Sequence, residues 1–333
     1  MSVPFAINGL GRIGRALLRI AARRDDLTLV AANDLVPVEV LARLVARDTV
    51  HGPFAGSVRA DGDALVVDGR RVPVSAAAEP AAVPWQGTGA RVVVEATGAF
   101  LGRAAAAGHL RGPVERVVLA ANSDDADLTL CLGINEGDFD PARHRVVSNA
   151  SCTTNCLAPL ARVLDDACGL ERALMTTVHS YTVNQRLLDL PHPDARRSRA
   201  AGLNMVPTAT TAPGALGRVL PALAGRVAGL AVRVPTPAVA MLDLAAQVRR
   251  PCDAEAVRRA FREAAAGPLA GILGAVDEEL VSSDFVGNPL SAVVDLPLVQ
   301  VADRHLVRVV AWYDNEWGYT TRLAELVARL GGG

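Results

Sequence analysis

The sequence predicts an α/β domain followed by an α+β domain, and three observations carry that reading. The first 150 residues alternate short apolar runs with helical patterns, the rhythm of a parallel sheet covered by helices. Beyond about residue 150 the apolar runs lengthen, and several follow one another with no helix between, as in a mixed or antiparallel sheet. The chain has 333 residues, of which 50% are hydrophobic and 21% charged, enough for about two domains with sizeable cores.

In the first part, Pro4–Asn8 reads as a buried strand, and Arg12–Arg24 places Ile13, Leu17 and Ile20 on one helical stripe. Thr28–Ala32 is a second strand, followed by a helix over Val38–Ala46. Val58–Val74 holds alternating runs around Asp61-Gly62-Asp63 and Asp68-Gly69, a hairpin-like insertion. Arg91–Ala96 and Arg116–Ala121 are strands separated by a helix at Ala104–His109. The strand Arg145–Ser148 then meets a helix predicted over Thr153–Asp165. Longer strands follow at Ala173–His179, Val227–Pro235, Ala240–Arg249 and His305–Tyr313. Ser180–Pro207 is polar and too long for a simple connector. A last helix, Trp317–Leu330, runs into Gly331-Gly332-Gly333.

Composition narrows the function. With 34 basic and 35 acidic residues spread along the chain, no basic face for nucleic acid is expected. No apolar run is long enough to span a membrane, and the first twenty residues lack the layout of a signal peptide. Five cysteines in a chain of this size do not read as a secreted disulfide framework, and a cytoplasmic protein is expected. All 34 basic residues are arginine, so chemistry that needs a Schiff-base or phosphate-binding lysine is excluded.

Gly9-Leu10-Gly11-Arg12-Ile13-Gly14 follows a strand and opens a helix. The first glycine of such a pattern permits a tight turn, the second lets backbone approach a pyrophosphate, and the third lets helix and strand pack closely. The helix N-terminus offers free N–H groups to the phosphates. Asp34 lies 20 residues beyond Gly14, at the end of the second strand, where a carboxylate would meet the adenosine ribose. A carboxylate there repels a 2′-phosphate, so NAD is the expected cofactor of a Rossmann-type domain.

Cys152 stands where a strand meets a helix, flanked by Ser151 and Thr153. A helix N-terminus favours the thiolate, so its pKa is expected to fall toward or below neutrality, and the hydroxyls suggest a small anion pocket. Cys131, Cys156, Cys168 and Cys252 read as buried structural thiols. His179 ends a strand 27 residues beyond Cys152 and is placed to act as a base. His51, His109, His144, His192 and His305 have no comparable company. On these residues alone a cysteine hydrolase remains open, although it would have no use for the dinucleotide pattern.

Ala6–Arg15, Ser148–Pro159, Thr176–Thr182, Arg233–Pro237 and Trp312–Tyr319 resemble the signature blocks of the phosphorylating glyceraldehyde-3-phosphate dehydrogenase family, in its bacterial and chloroplast-like branch. The resemblance covers essentially the whole chain. It implies an NAD-binding domain over 1–150 completed by 316–333, and a catalytic domain over 151–315 with an S-loop at 181–204. The crevice where the two domains meet, near Cys152, would hold the nicotinamide. It also implies that Cys152 attacks D-glyceraldehyde 3-phosphate to form a hemithioacetal while His179 assists proton removal. Oxidation with NAD leaves a thioester, which inorganic phosphate converts to 1,3-bisphosphoglycerate. The family's anion sites match Ser151, Thr153, Thr182, Arg197, Thr210 and Arg233, with Thr211 beside them. Its cofactor contacts match Gly9, Gly11, Arg12, Ile13, Gly14, Asp34, Thr97, Gly98, Asn315 and Tyr319. Leu190-Pro191 resembles the pair that accompanies NAD, no metal is expected, and the S-loop implies a homotetramer.

The chain departs from the family in places. Thr211 stands for a usual glycine and Gly214 for a usual lysine, with Pro213 before it. Ala120-Ala121-Asn122 replaces Ser/Thr-Ala-Pro, Val183 and Asn184 replace asparagine and aspartate, and Arg47 replaces a tyrosine. These changes leave room for a specialised, inhibitor-resistant paralogue. Erythrose 4-phosphate oxidation by direct thioester hydrolysis is an alternative substrate reading, and a non-catalytic binding protein is one from another class.

Overall fold

The computed structural model describes residues 2–332, which form two compact units. The first comprises the chain up to Leu130, Glu136–Ser151 and the residues from Thr320 on; the second comprises Cys131–Asn135 and Cys152–Tyr319.

The first unit is built on a nine-stranded sheet. Its strands are β1 (Val3–Asn8), β2 (Leu27–Asn33), β3 (Val58–Asp61), β4 (Ala64–Val67), β5 (Arg70–Ser75), β6 (Val92–Glu95), β7 (Arg116–Leu119), β8 (Leu128–Thr129) and β9 (Val146–Ser148). Their spatial order is β8-β9-β7-β6-β1-β2-β5-β4-β3. From β8 to β5 every neighbour is parallel, whereas β5-β4-β3 is an antiparallel meander. The hairpin-like insertion read at 58–74 is thus a three-stranded extension of the sheet edge. Helices α1 (Arg12–Ala21) and α2 (Val38–Ala46) follow the first two strands. Phe5, Ile7, Leu17 and Leu18 are buried, because β1 offers side chains on both faces and α1 lays its apolar stripe inward. The expected helix at Ala104–His109 is a single α-turn, Arg103–Ala106, continued by a 3-10 turn to His109.

The second unit opens with α3 (Cys152–Cys168), which begins one residue earlier and ends three later than its apolar pattern suggested. Its sheet is mixed. The strands are β10 (Leu170–Ser180), β11 (Val206–Thr208), β12 (Val227–Val234), β13 (Ala240–Val248), β14 (Leu273–Val276), β15 (Ala292–Asp295), β16 (Gln300–Ala302) and β17 (Leu306–Tyr313). The order is β11-β12-β10-β13-β17-β15-β14, with β16 on β17. β10 runs parallel to β12 and antiparallel to β13, which sets His179 opposite Arg233 in the β10–β12 register. Helices α4 (Ala212–Val219) and α5 (Ala254–Ala266) complete this unit, and α6 (Trp317–Gly331) is the last element of the chain. Residues 181–205 contain no regular strand or helix, only an isolated bridge between Arg186 and Ala200.

Candidate active site

In the first unit the glycine turn behaves as three different positions. Gly9 has φ +93°, and a Cβ there would lie 2.8 Å from the Thr97 backbone nitrogen. A Cβ on Gly14 would lie 2.0 Å from the Gly9 carbonyl oxygen, so only glycine lets α1 start this close to β1. A Cβ on Gly11 would meet nothing within 4 Å: this position faces open space at the helix N-terminus. The N–H groups of the first turn, around Arg12 and Ile13, have no intrahelical acceptors.

The adjoining cleft of about 350 Å³ is lined by Asn8, Gly9, Gly11, Asp34, Thr97 and Phe100 among others. Asp34 accepts from Leu10 N–H at 2.6 Å through Oδ2 and from Val36 N–H at 2.9 Å through Oδ1. A carboxylate already held by two turns still has lone pairs for hydroxyl donors, and it offers nothing to a phosphate. Arg12, expected at the cofactor, has its guanidinium on Asp48. That ion pair and the N–H groups of Val50 and His51 outweigh burial and hold the Asp48 carboxyl at about 2. Gly98 has φ +73° beside Thr97, so the turn that the resemblance singled out is a left-handed one.

In the second unit Cys152 is the first residue of α3, delivered by a left-handed Ala150 (φ +54°) two residues earlier. Its Sγ lies 3.5 Å from His179 Nε2 and 4.0 Å from Thr153 Oγ1. The other ring nitrogen of His179 meets two opposite partners. The Ser180 carbonyl, at 2.8 Å, can only accept, and the Arg233 guanidinium can only donate. Arg233 also donates to the Ser180 carbonyl at 3.1 Å, so the surroundings support both neutral tautomers of the ring.

The electrostatics correct one expectation. The Cys152 thiol is pushed up, not down: crowding by protein atoms outweighs the Arg233 charge and the bonds to Thr153 and the helix N-terminus. Burial, reinforced by Arg233, lowers His179 to about 3. The resting pair is therefore a neutral thiol against a neutral imidazole. Arg233 is itself lowered, by burial first and by the charge of Arg197 as well. Two guanidinium groups that oppose each other in this way favour an anion near both.

The remaining candidates, apart from Ser151 at the end of a first-unit segment, are scattered along the same unit. Arg197 Nε donates to Thr208 Oγ1 at 2.8 Å and lies 3.6 Å from Asp194. The Thr182 N–H donates to Gln185 Oε1 at 3.2 Å. Thr210 Oγ1 accepts from Ala212 N–H at 3.3 Å, and Thr211 is the residue preceding α4. Thr211 has φ −90°, where any residue is comfortable, and Pro213 sits in the first turn of α4, where its missing N–H has no intrahelical partner to lose. The replacements of glycine and by proline are thus absorbed without strain. Ser151 immediately precedes Cys152, and Tyr319 is buried in the first turn of α6. Asn315 accepts a hydrogen bond from Ser180 Oγ at 2.9 Å.

Sequence reasoning missed Tyr313. Its hydroxyl, buried, joins Thr177 at 2.7 Å to Thr153 at 3.0 Å, and its ring stands edge-on to His179. Tyr313 lies in the Trp312–Tyr319 block, but nothing in its spacing from Cys152 shows that β17 returns it to the head of α3.

Residues 3–103 match the family model described as the glyceraldehyde 3-phosphate dehydrogenase NAD binding domain, and residues 151–315 match that for its C-terminal domain. The chain belongs to the glyceraldehyde-3-phosphate dehydrogenase family. It is 50% identical to the glyceraldehyde-3-phosphate dehydrogenase of Kitasatospora aureofaciens over 98% of each chain. It is 48% identical to that of Priestia megaterium, over 98% of this chain and 97% of the relative. The enzyme of Geobacillus stearothermophilus is 45% identical over 99% and 98%. As in the family, the chain is an NAD-dependent oxidoreductase with a Rossmann domain, and the cleft beside Gly11 and Asp34 fits the cofactor: open backbone for pyrophosphate, carboxylate for ribose.

Proposed function

We propose that this protein oxidises D-glyceraldehyde 3-phosphate to 1,3-bisphosphoglycerate, with Cys152 as nucleophile and His179 as base. The observation that carries the assignment is the 3.5 Å approach of Cys152 Sγ to His179 Nε2 at the head of a helix, in a chain of this family. Because both groups rest neutral, His179 takes the thiol proton as sulfur bonds to the aldehyde carbon and the carbonyl π bond opens, then returns that proton to the oxygen, giving a hemithioacetal and a free ring nitrogen. The same ring nitrogen is within reach to receive the hemithioacetal hydroxyl proton at the next step. Bound NAD supplies the two-electron acceptor for that oxidation. The resulting thioester on Cys152 is attacked by inorganic phosphate, and the carbon–sulfur bond breaks to release the acyl phosphate and restore the thiol.

Arg233, Arg197, Thr153, Thr182, Ser151, Thr210 and Thr211 are assigned to the two phosphate groups; the opposed charges of Arg233 and Arg197 support this. Gly9, Gly11, Arg12, Ile13, Gly14, Asp34, Thr97 and Gly98 are assigned to NAD, with Arg12 acting through its backbone while its side chain braces Asp48. Asn315 and Tyr319 are assigned to the nicotinamide end. We assign NAD binding to residues 1–150 with 316–333, joined by Asn315, and the chemistry to 151–315. The apolar side chains of Val183, Leu187, Leu188, Leu203 and Met205 are exposed in the loop after β10, which supports a homotetramer closed over them. A cytoplasmic location is supported by five free cysteines, and no helix among the described residues is long and apolar enough to cross a membrane.

The test is NADH formation from glyceraldehyde 3-phosphate and NAD, with and without phosphate and after iodoacetamide. Phosphate-dependent, iodoacetamide-sensitive turnover is expected. Equal turnover without phosphate would replace the reading by a hydrolytic oxidation.

A further inference from the structure

Four side chains beneath the dinucleotide cleft have no part in the chemistry above. Asn8, Asn33, Glu95 and His109 are each at most 3% exposed, and they are linked in one line across the carboxyl ends of β6, β1 and β2. We propose that Glu95 and His109 are positioning residues, which fix the walls of the NAD site by forcing this line of hydrogen bonds to converge on one carboxylate. The proposal rests on the assignment of that cleft to NAD.

The direction of the links to Glu95 is settled by the ends of the line, and Asn8 Nδ2 and His109 Nε2, 3.3 Å apart, are then two donors that meet on the same carboxylate oxygen. The Trp85 indole N–H can only donate, and it points at His109 Nδ1 at 3.0 Å. The neutral His109 proton is therefore on Nε2, which donates to Glu95 Oε2 at 3.0 Å. At the other end the backbone N–H of Ala77 can only donate, and it meets Asn33 Oδ1 at 2.8 Å. Asn33 Nδ2 must then face outward, donating to Asn8 Oδ1 at 2.8 Å, and Asn8 Nδ2 donates to Glu95 Oε2 at 2.5 Å. Two fixed donors, one at each end, leave a place in the middle that only an acceptor on every side can fill.

Glu95 also accepts from the Thr97 N–H at 2.9 Å and from the Thr97 hydroxyl, both through Oε1. The network thus holds two pieces of cleft wall, Ala77 at one end of the line and Thr97 through the central Glu95. Thr97 in turn backs the Gly9 turn, since its nitrogen lies 2.8 Å from where a Gly9 Cβ would be. A shift of Thr97 is transmitted to the turn assigned to the pyrophosphate.

The substitution Glu95→Gln keeps the shape and breaks the logic. Its amide nitrogen faces either His109 and Asn8, or the Thr97 N–H, and each choice sets donor against donor in a dry site. The substitution His109→Gln, in contrast, preserves polarity: an amide oxygen accepts from Trp85 while its nitrogen donates to Glu95. His109→Leu removes both links.

The test is the dissociation constant for NAD, measured by titration of NAD-free protein, with melting temperature recorded separately. Glu95→Gln and His109→Leu are expected to weaken NAD by roughly tenfold or more, and His109→Gln is expected to restore affinity to within about twofold of the parent. The rate of Cys152 alkylation, unchanged in all three, reports that the second unit is intact. Parent affinity in both disruptive variants would overturn the proposal, as would equal damage from His109→Gln and His109→Leu. Hydrogen exchange on the NAD-free parent gives a check that needs no variant: the Ala77 and Thr97 amides should exchange as slowly as those of β6, and fast exchange overturns the proposal. A parent that binds no NAD would overturn the cofactor assignment together with it.

Discussion

The two units bury polar groups in opposite ways. Under the dinucleotide cleft, Asn8, Asn33, Glu95 and His109 satisfy one another, with donors and acceptors matched from Trp85 to Ala77. At the head of α3, Cys152 and His179 are surrounded by groups that offset one another, and burial suppresses the charge on both. A wall that must present a fixed shape to a ligand gains from a matched network, because every alternative arrangement strands a buried donor. A pair that must pass a proton gains from an imidazole held neutral beside the thiol, because the thiolate is the attacking species and the ring must be free to take its proton.

If the units divide recognition and chemistry in this way, removing the thiol should separate them completely. Cys152→Ala is expected to lower turnover by at least about 10⁴-fold while leaving NAD affinity in the NAD-free protein within about twofold. His179→Asn should cost roughly 10²–10⁴-fold in turnover, again with little effect on NAD binding. A steady-state assay paired with NAD titration reads both. A large loss of NAD affinity in Cys152→Ala would show that the two functions are not separable by region.

The contrast has a consequence for acid stability. His179 titrates at about 3 in the folded protein, against an ordinary value near 6.5 once unfolded. A depressed value means that the unfolded chain binds this proton first as the pH falls. Its contribution to stability is therefore complete above pH 6.5 and is lost progressively between there and about 3, with a slope of up to about 1.4 kcal/mol per pH unit. Urea unfolding at a series of pH values should show this slope in the second unit, and His179→Asn should flatten it. An unchanged slope in that variant would place the acid sensitivity elsewhere.

How much of this was legible in the sequence differs between the units for a physical reason. The strand–glycine–helix turn with Asp34 is local: its residues lie within 26 positions, and a turn's backbone demands are written in which residue types it tolerates. The Cys152 and His179 pairing was also readable, since one stands at a helix start and the other at a strand end. The Glu95–His109 line was not. His109 stands alone in its segment, and only the parallel order β6-β1-β2 brings Glu95, Asn8 and Asn33 to the same edge. The upward shift of the Cys152 thiol is not legible, because helix position shows in the sequence whereas the crowding of protein atoms around a half-buried sulfur does not.

The smallest effect is the sharpest probe of the first unit, because it separates fold from ligand within six residues. Gly14→Ala places a methyl group 2.0 Å from the Gly9 carbonyl, a backbone atom that cannot swing aside. Helix α1 must move off β1, and a loss of about 1–3 kcal/mol in stability is expected with NAD absent. Gly11→Ala places the same methyl group in open space, with nothing within 4 Å and an extended backbone that alanine adopts freely. Its stability without NAD should match the parent to about 0.5 kcal/mol, yet NAD affinity should fall, because the methyl group fills the approach to the helix N-terminus. Melting curves recorded with and without NAD decide the matter. If Gly11→Ala gains as much from NAD as the parent does, the pyrophosphate does not lie against this turn.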